Sequence, residues 1–413
     1  MSETSESAVD LMAPEFALDP VPGFARLRED ARLVRVAFPG AATPVWLITG
    51  YGDVKAALSD PRLVRDSRNV PGPDVSDVGD QMKDAIGLPS EYQNYMDTMA
   101  TMDGKAHARL RKLVHSWFNV RSITKLRPFV EQTADRLVAE LVQRKGGDIV
   151  DELAFPFTGD VIYKLLGLEE SDWPQLREWV VGYTSGDPAR IMPSLKGIAA
   201  YVEDVVERHQ SGSGDDLISG LIRTRDEGFE QITNTEIIAM LLLLIDTGQR
   251  PAAQFIANGV LTLLEHPEEV EHIRAQPDLL PQAVQEVLRV ATTVHFNGLM
   301  YATEDLDFAG STIRRGDAMI AGLFSANYDP ARFPEPERLD VTRNHGTSEV
   351  HVSFAPGPHY CLGAALGRME AEAVIDRLFI RNRSLSLAVD RNDLQYHYGI
   401  GGYHLSQLPV HIQ

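Results

Sequence analysis

The chain has 413 residues, of which 44% are hydrophobic and 24% charged, and this composition excludes a disordered, collagenous or low-complexity protein. Its 39 Lys and Arg against 59 Asp and Glu give a formal net charge of −20, which argues against nucleic acid or an anionic membrane as the main partner. The one cysteine permits no intramolecular disulfide and fits a reducing cytoplasm. The sequence shows neither a secretion signal nor an apolar run of membrane length, so we expect a cytoplasmic protein without a membrane span.

The spacing of apolar residues predicts a mainly α protein with small β-sheets, an α+β fold, in one domain over residues 1–413. Strands are predicted at 33–38 and 45–49, within a β-rich part over roughly 20–65, and again within roughly 305–320 and 385–413. Residues 67–90 are rich in Pro, Gly, Asp and Asn, which predicts a long loop with about one helical turn, a candidate lid. Helical spacing dominates roughly 100–380.

A long helix is predicted over residues 236–265. Thr233 and Glu236 have the spacing of a capping box at its start. Because the segment is apolar on most of its faces, we expect it to lie inside the protein.

The single cysteine, Cys361, lies in a loop rich in Gly and Pro, directly before a helical pattern. Amide groups in such a loop and at a helix start stabilise a thiolate, the form of cysteine that ligates metals. Without its context, a lone cysteine is usually a small buried hydrophobe. The context is the pattern F-x-x-G-x-H-x-C-x-G, which resembles the haem-binding loop of the cytochrome P450 family and is filled by Phe354, Gly357, His359, Cys361 and Gly363.

The resemblance implies the cytochrome P450 fold, a triangular, helix-rich prism around a buried haem b. Cys361 would be the ligand of the iron, and its electron-rich sulfur favours cleavage of an O–O bond. Phe354 would pack over that sulfur, while Gly357 and Gly363 would let the backbone approach the porphyrin closely.

Further motifs extend the resemblance over nearly the whole chain. Glu286 and Arg289 are similar to the family's E-x-x-R, and Arg338 is similar to the arginine of its meander. The resemblance implies that these three side chains form a buried ion network behind the haem. From the sequence alone, each could equally be a surface charge.

The resemblance also indicates residues for the haem propionates. His107 and Arg111 are four residues apart, share a helix face, and look like the family's H-x-x-x-R at the haem edge. His351 matches a third contact. Met300 stands where the resemblance places an arginine, so one propionate contact is lost or moved.

The predicted central helix departs from the family in its oxygen-binding segment. The resemblance aligns this segment with Thr247, Gly248, Gln249, Arg250 and Pro251, so that Arg250 and Pro251 stand where typical members carry an acid and an alcohol that relay protons. Proline cannot donate a hydrogen bond to the carbonyl of Thr247 and distorts the helix there.

Three interpretations of Arg250 stay open. It forms an i,i+4 ion pair with Asp246, or its guanidinium binds a substrate carboxylate above the haem, as in the fatty-acid peroxygenase branch. In the third interpretation, Arg250, Gln249 and ordered water form a different proton relay, or the reaction needs little relay.

The substrate pocket is predicted from matching positions after the E-x-x-R helix, Val294, His295 and Phe296, and near the end of the chain at Ile400. Apolar walls with His295 as the one polar group suit an apolar, polyketide-like or peptide-like molecule.

Electrons must come from a partner, because the chain has no flavin or iron–sulfur motif. The basic run Lys105, Arg109, Arg111 and Lys112 is a candidate surface for ferredoxin, which works with ferredoxin reductase; the alternative is a solvated basic face.

The predicted function is therefore ferredoxin-dependent oxidation of a small molecule, a secondary-metabolite intermediate, by hydroxylation or by oxidative coupling or cyclisation. One alternative is a hydrogen-peroxide-dependent peroxygenase in which Arg250 binds a substrate carboxylate. The other is a haem-thiolate binding or sensor protein without turnover.

Overall fold

The computed structural model describes residues 8–17, 20–38, 41–86, 89–184, 187–209, 214–227, 232–343, 350–381, 384–399 and 401–412. Helices dominate these ranges. The α-helices are α1 (Pro14–Ala17), α2 (Pro20–Asp30), α3 (Tyr51–Ser59), α4 (Val78–Ile86), α5 (Ser90–Gln93), α6 (Gly104–Phe118), α7 (Val120–Arg144), α8 (Phe155–Leu166), α9 (Trp173–Thr184), α10 (Pro188–Arg208), α11 (Leu217–Glu227), α12 (Asn234–Glu265), α13 (Pro267–Ala275), α14 (Leu280–Val290), α15 (Leu323–Asn327) and α16 (Ala364–Ile375).

Short segments of other helix types join them. Tighter 3₁₀ turns lie at Ser67–Asn69, Asn94–Met96, Glu170–Asp172, Pro277–Leu279 and Arg391–Asp393, and wider π turns lie at Val150–Ala154 and Asp376–Arg381.

The strands are short and come from distant parts of the chain. They are β1 (Val9–Asp10), β2 (Leu33–Ala37), β3 (Val45–Ile48), β4 (Leu63–Val64), β5 (Gly146–Asp148), β6 (Met300–Ala302), β7 (Leu306–Phe308), β8 (Ser311–Ile313), β9 (Ala318–Ala321), β10 (Leu385–Leu387), β11 (Tyr396–Gly399), β12 (Gly402–Leu405) and β13 (Pro409–Ile412).

The largest sheet has six strands in the order β1-β2-β3-β9-β6-β4 and joins the start of the chain to residues 300–321. Its strand β4 pairs antiparallel with β6, so that Leu63 lies opposite Ala302 and Val64 opposite Tyr301. A three-stranded sheet, β10-β13-β5, and two hairpins, β7-β8 and β11-β12, complete the β structure of the described ranges. The strands predicted near residues 33, 45, 305–320 and 385–413 are confirmed.

Helix α12 is the central element. The capping box is confirmed, since the Thr233 Oγ1 accepts the Glu236 N–H at 3.2 Å and the Glu236 carboxylate accepts the Thr233 N–H at 2.9 Å. Its 32 residues, about 48 Å at ~1.5 Å per residue, are mostly buried and continue through Pro251. The helix thus crosses the interior, as its apolar composition predicts.

Two glycines let α12 and α8 approach each other closely. A Cβ at Gly248 would lie 2.6 Å from Cγ1 of Ile162, and a Cβ at Gly159 would lie 2.8 Å from Nε2 of Gln249. Larger side chains at either position would therefore push the two helices apart.

The prediction for residues 67–90 needs a correction. Within its described part this segment holds the nine-residue helix α4 as well as a 3₁₀ turn, so it is more helical than a loop with one turn. Val78 of α4 is buried against the main sheet, in one apolar cluster with Tyr301, and the Tyr301 hydroxyl accepts the Gly79 N–H at 3.2 Å. Among the described helices, none is long and apolar enough to cross a membrane.

Candidate active site

The loop before α16 holds Cys361 by backbone hydrogen bonds. Its N–H donates to the carbonyl of Phe354 at 2.9 Å, and its own carbonyl accepts the Ala364 N–H at 3.4 Å, where α16 begins. Burial raises the pKa of the Cys361 thiol, while the Gly363 amide and the Arg111 guanidinium act in the opposite direction. The thiolate form therefore needs a further positive charge, which a bound metal ion supplies.

A cavity of about 410 Å³ reaches from this loop to α12. Cys361, Gly363 and Phe354 line it on the loop side, and Thr247 and Pro251 line it on the helix side. Its other walls are mainly apolar and include Met99, Phe118, Ile162, Leu243, Leu244, Ala252, Phe255, Leu288, Val294 and Leu323. The arrangement suits a flat apolar cofactor beside the sulfur and an apolar guest under α12.

The glycines near the cysteine have different roles. A Cβ on Gly363 or on Gly367 would meet nothing within 4 Å, and both residues line the cavity, so the backbone is open to a cofactor there. Gly357 has a φ of +106°, and its Cβ would lie 2.2 Å from the carbonyl oxygen of Leu58. Gly357 is thus required by close contact with α3, which corrects its predicted role beside the porphyrin.

Cationic and imidazole groups gather at one end of the cavity. Arg65, Arg111 and His359 line it, and the His107 ring lies 4.2 Å from the ring of His359. The Nε2 of His107 is buried with no hydrogen-bond partner in the described part of the chain. Burial lowers the pKa of both histidines, that of His359 to about 4. Buried polar groups of this kind need partners, and the two carboxylates of haem fit them.

His351 does not belong to this group. It is buried outside the cavity lining, and its Nε2 lies 3.0 Å from the Oε1 of Gln285, while its Nδ1 accepts the Ser353 N–H at 3.3 Å. The structure therefore does not place His351 among the propionate contacts, and its ring lies 5.8 Å from that of Phe354 in the cysteine loop.

The buried ion network is present with one change of residue. The Arg289 guanidinium donates two hydrogen bonds to the Glu286 carboxylate, at 2.9 and 2.7 Å, and both side chains are fully buried. The second guanidinium belongs to Arg343, whose Nε donates to Glu286 at 2.9 Å. The prediction of Arg338 is wrong, because its side chain is 60% exposed beside Glu335.

The backbone around Arg338 explains why Arg343 contacts Glu286 in its place. The carbonyl of Arg338 accepts hydrogen bonds from Arg289 at 3.1 Å and from Arg343 at 3.3 Å, so this residue contributes its main chain. The side chain of Arg343, the next arginine along the chain, then reaches the carboxylate of Glu286.

The unusual segment of α12 divides between two faces. Thr247, Gly248 and Pro251 line the cavity. Gln249 is fully buried on the side of α8, where its Oε1 accepts the Tyr163 hydroxyl at 2.7 Å and its Nε2 donates to a carbonyl at 3.1 Å. This position contradicts a proton relay through Gln249.

The structure agrees with the first of the three interpretations of Arg250, the ion pair within its own helix. Its Nε and Nη2 lie 3.2 and 3.3 Å from the carboxylate of Asp246, one turn earlier. Among the described residues it is not part of the cavity lining. The geometry therefore does not place its guanidinium over the cofactor position.

Of the predicted pocket residues, Val294 lines the cavity and Ile400 lies outside the described residues. His295 and Phe296 instead pack in an aromatic cluster with Phe24, the His295 ring being 6.4 Å from that of Phe24. Burial lowers the pKa of His295 to about 4, so it is neutral at pH 7. His295 is therefore not the polar group of the pocket.

Sequence reasoning missed several cavity residues. Thr293, whose hydroxyl lies 3.4 Å from the carbonyl oxygen of Pro251, and Asn297 both line the cavity, as does Arg65. The helical spacing of Thr247 and Pro251, four residues apart, could have identified the inner face of α12, but no local signal marks Arg65 or Asn297.

The basic run on α6 is only partly at the surface. Lys105 and Lys112 are exposed, but Arg109 pairs with Glu236 of the capping box, and Arg111 turns inward, where it donates to the carbonyl of Tyr360.

A cysteine loop that faces an apolar cavity with a cationic end is the arrangement expected of a haem-thiolate protein. A family model described as cytochrome P450 matches residues 44–393, and the chain belongs to this family. It is 34% identical to the 6-deoxyerythronolide B hydroxylase of Saccharopolyspora erythraea, with 98% of each chain covered. It is 32% identical to the polyketide biosynthesis cytochrome P450 PksS of Bacillus subtilis, with 96% of each covered. The structure of the tirandamycin C-bound P450 monooxygenase TamI superposes with a TM-score of 0.86 at 34% identity, covering 98% of this chain and 100% of that one.

The chain therefore has the cytochrome P450 fold and is a monooxygenase-type oxidoreductase that uses haem. The mainly α prediction with small sheets is confirmed.

Proposed function

We propose that this enzyme binds haem b and oxidises an apolar intermediate of secondary metabolism, of the polyketide class, using dioxygen and electrons from ferredoxin. The observation that carries the proposal is the cavity that joins Cys361 to Thr247 and Pro251 between largely apolar walls. The relatives named 6-deoxyerythronolide B hydroxylase and polyketide biosynthesis cytochrome P450 PksS support the substrate class and hydroxylation. Hydroxylation is the simplest outcome, and coupling or cyclisation are alternatives for the same site. A cytoplasmic location remains a prediction.

The chain's own residues provide the setting for this chemistry. When bound, haem with a thiolate ligand supplies activation of dioxygen. Cys361 would be that ligand, Gly363 and Gly367 would leave room for the macrocycle, and the aliphatic walls would exclude water from the guest.

Protons near α12 must be handled without the usual acid and alcohol pair. The Thr247 hydroxyl lines the cavity and donates to the carbonyl of Leu243 at 2.7 Å, and Thr293 also lines the cavity, with its hydroxyl 3.4 Å from the carbonyl oxygen of Pro251. Since Pro251 has no N–H, the carbonyl of Thr247 loses its normal helical partner. These two hydroxyls are the groups that can hold a water molecule or a substrate hydroxyl there.

The Arg250–Asp246 pair favours dioxygen over peroxide as the oxidant. A peroxygenase of the kind predicted as an alternative needs the guanidinium at the substrate carboxylate, whereas here it is joined to a carboxylate of its own helix. Arg250→Met separates the two functions, with Arg208→Met as the control, because it removes an i,i+4 ion pair with Asp204 from an exposed helix face.

The test is product formation with a panel of macrolactones and fatty acids, driven either by ferredoxin with its reductase or by hydrogen peroxide alone. We expect hydroxylated macrolactone only with the ferredoxin system, and nearly unchanged turnover in Arg250→Met. Peroxide-driven turnover of fatty acids that disappears in Arg250→Met would refute the proposal. Cys361→Ala must also abolish the thiolate-type spectrum of the reduced carbon monoxide adduct.

A further inference from the structure

Arg65 follows β4 and presents its guanidinium to the cavity. The guanidinium donates to the Oδ1 of Asn297 at 2.9 Å and to the carbonyls of Gly298 and Leu299, so it is fixed against the segment that leads into β6. These acceptors are all neutral.

The nearby carboxylate is occupied elsewhere. Asp103 accepts the backbone N–H groups of Arg65 and Asp66 and the side-chain amide of Asn69, at 2.8 to 3.1 Å. Within the described ranges, no carboxylate oxygen lies within ion-pair distance of the Arg65 guanidinium.

A partly buried guanidinium without an anion is costly. Burial lowers the pKa of Arg65 to about 10, with a partial offset from Asp103, and the group is still charged at neutral pH. Arg111 adds a second positive charge to the same cavity end, where His359 also lines the cavity and the His107 ring lies 4.2 Å from that of His359. Such a site stabilises carboxylates that enter from the cavity.

The sheet register explains why Arg65 is in this place. Leu63 pairs with Ala302 and Val64 with Tyr301, so the next position of the ladder sets Arg65 beside Met300. Met300 is buried in an apolar cluster, and it is the position at which the family resemblance places an arginine.

We propose that Arg65 binds a haem propionate together with Arg111 and His359, and that the positive charge has moved to this residue from position 300 on the neighbouring strand. The inference rests on haem binding at Cys361, as proposed above. The bound chemistry is a carboxylate, and the same groups could in principle receive it from a substrate, so the experiment must separate the two sources.

The test uses full-length Arg65→Gln, which keeps a donor toward Asn297 but removes the charge. Arg65→Lys serves as the conservative variant, and Arg62→Gln, which removes a half-exposed arginine paired with Asp60, is the matched control. Each protein is loaded with haem or with haem dimethyl ester, whose propionates carry no charge. The readout is the rate of cofactor transfer to excess apomyoglobin, followed by Soret absorbance, with circular dichroism confirming the fold.

We expect Arg65→Gln to release haem roughly 10- to 100-fold faster than the wild type, the effect of losing one charge-assisted hydrogen bond. Arg65→Lys should restore much of the retention, and Arg62→Gln should match the wild type. With the dimethyl ester, the wild type and Arg65→Gln should differ by less than about threefold, because the partner of the guanidinium is then gone.

Equal acceleration of haem and ester loss in Arg65→Gln would show that the guanidinium does not act on the propionates. Unchanged haem retention, with lost binding of fatty-acid carboxylates, would assign the site to the substrate and also overturn the inference. A wild-type protein that takes up no haem at all would refute the proposed function instead.

Discussion

Replacing Arg343 tests the corrected ion network most directly. Arg343→Met keeps the stem of the side chain but removes the hydrogen bond to Glu286 at 2.9 Å and one to the carbonyl of Pro334 at 2.9 Å. The Glu286 carboxylate keeps its two bonds from Arg289 and one from the Asp340 N–H, so its charge is not left unpaired. We therefore expect a loss of about 3 kcal/mol, at the lower end of the range for breaking a buried pair.

Arg338→Met is the matched control. Its side chain is 60% exposed and its contact with Glu335 is 3.8 Å long, so its removal should cost less than about 0.5 kcal/mol. At ~2.1 cal/mol/K per residue, the 413 residues have an unfolding entropy of about 0.9 kcal/mol/K. The expected decrease in Tm is thus about 3 °C for Arg343→Met and below about 1 °C for Arg338→Met.

The assay is differential scanning calorimetry on both variants at equal haem content. An equal shift in the two variants, or a larger shift in Arg338→Met, would refute the assignment of Arg343 to the network.

The remaining predictions concern a helix contact, a pH response and a docking surface. Gln249→Leu should lower the free energy of unfolding by about 1–3 kcal/mol, because it leaves the hydroxyl of the α8 tyrosine unpaired. The variant should keep its ferredoxin-driven turnover. A stable variant without turnover would support a proton relay through Gln249 instead. The pKa of His295 falls from 6.5 to about 4 on folding, so below pH 6.5 the unfolded chain binds a proton that the folded one does not, and stability is lost as pH falls. His295→Leu should flatten this fall by up to ~1.4 kcal/mol per pH unit in denaturant titrations between pH 4 and 6.5, and an unchanged slope would contradict the assigned burial. Replacing Lys105 and Lys112 by Glu should raise the KM for ferredoxin roughly tenfold without changing kcat at saturating ferredoxin. Arg208→Glu on α10 should change neither constant, and an unaffected KM in the lysine variant would remove α6 from the docking surface.

Contiguous patterns predicted the fold and the centre of the site well. The residues of the Cys361 loop contact others only a few positions away, so a local sequence motif is enough to predict them. The capping box of α12 is equally local, and the apolar composition of that helix is enough to require burial.

Features that depend on the path of the chain were beyond such reasoning. Arg338 and Arg343 are five residues apart in one irregular segment, in which Glu335 has a φ of +49°, and of the two guanidinium groups it is that of Arg343 that reaches Glu286. The position of Arg65 depends on the pairing of β4 with β6, two strands that are more than 230 residues apart in the sequence. Gln249 was misjudged because the sequence did not reveal which face of α12 meets α8.

The glycine contact behind α12 has a consequence for engineering this enzyme. Gly248 lies against Ile162, and both residues line the cavity together with Thr247 and Pro251. Enlarging residue 248 would push α12 away from α8 as well as changing the cavity, because a Cβ there already lies 2.6 Å from Cγ1 of Ile162. Attempts to change substrate selectivity should therefore begin at Thr247, Ala252 and Val294, which line the cavity. We expect a changed side chain at these positions to reshape the cavity without moving α12 relative to α8.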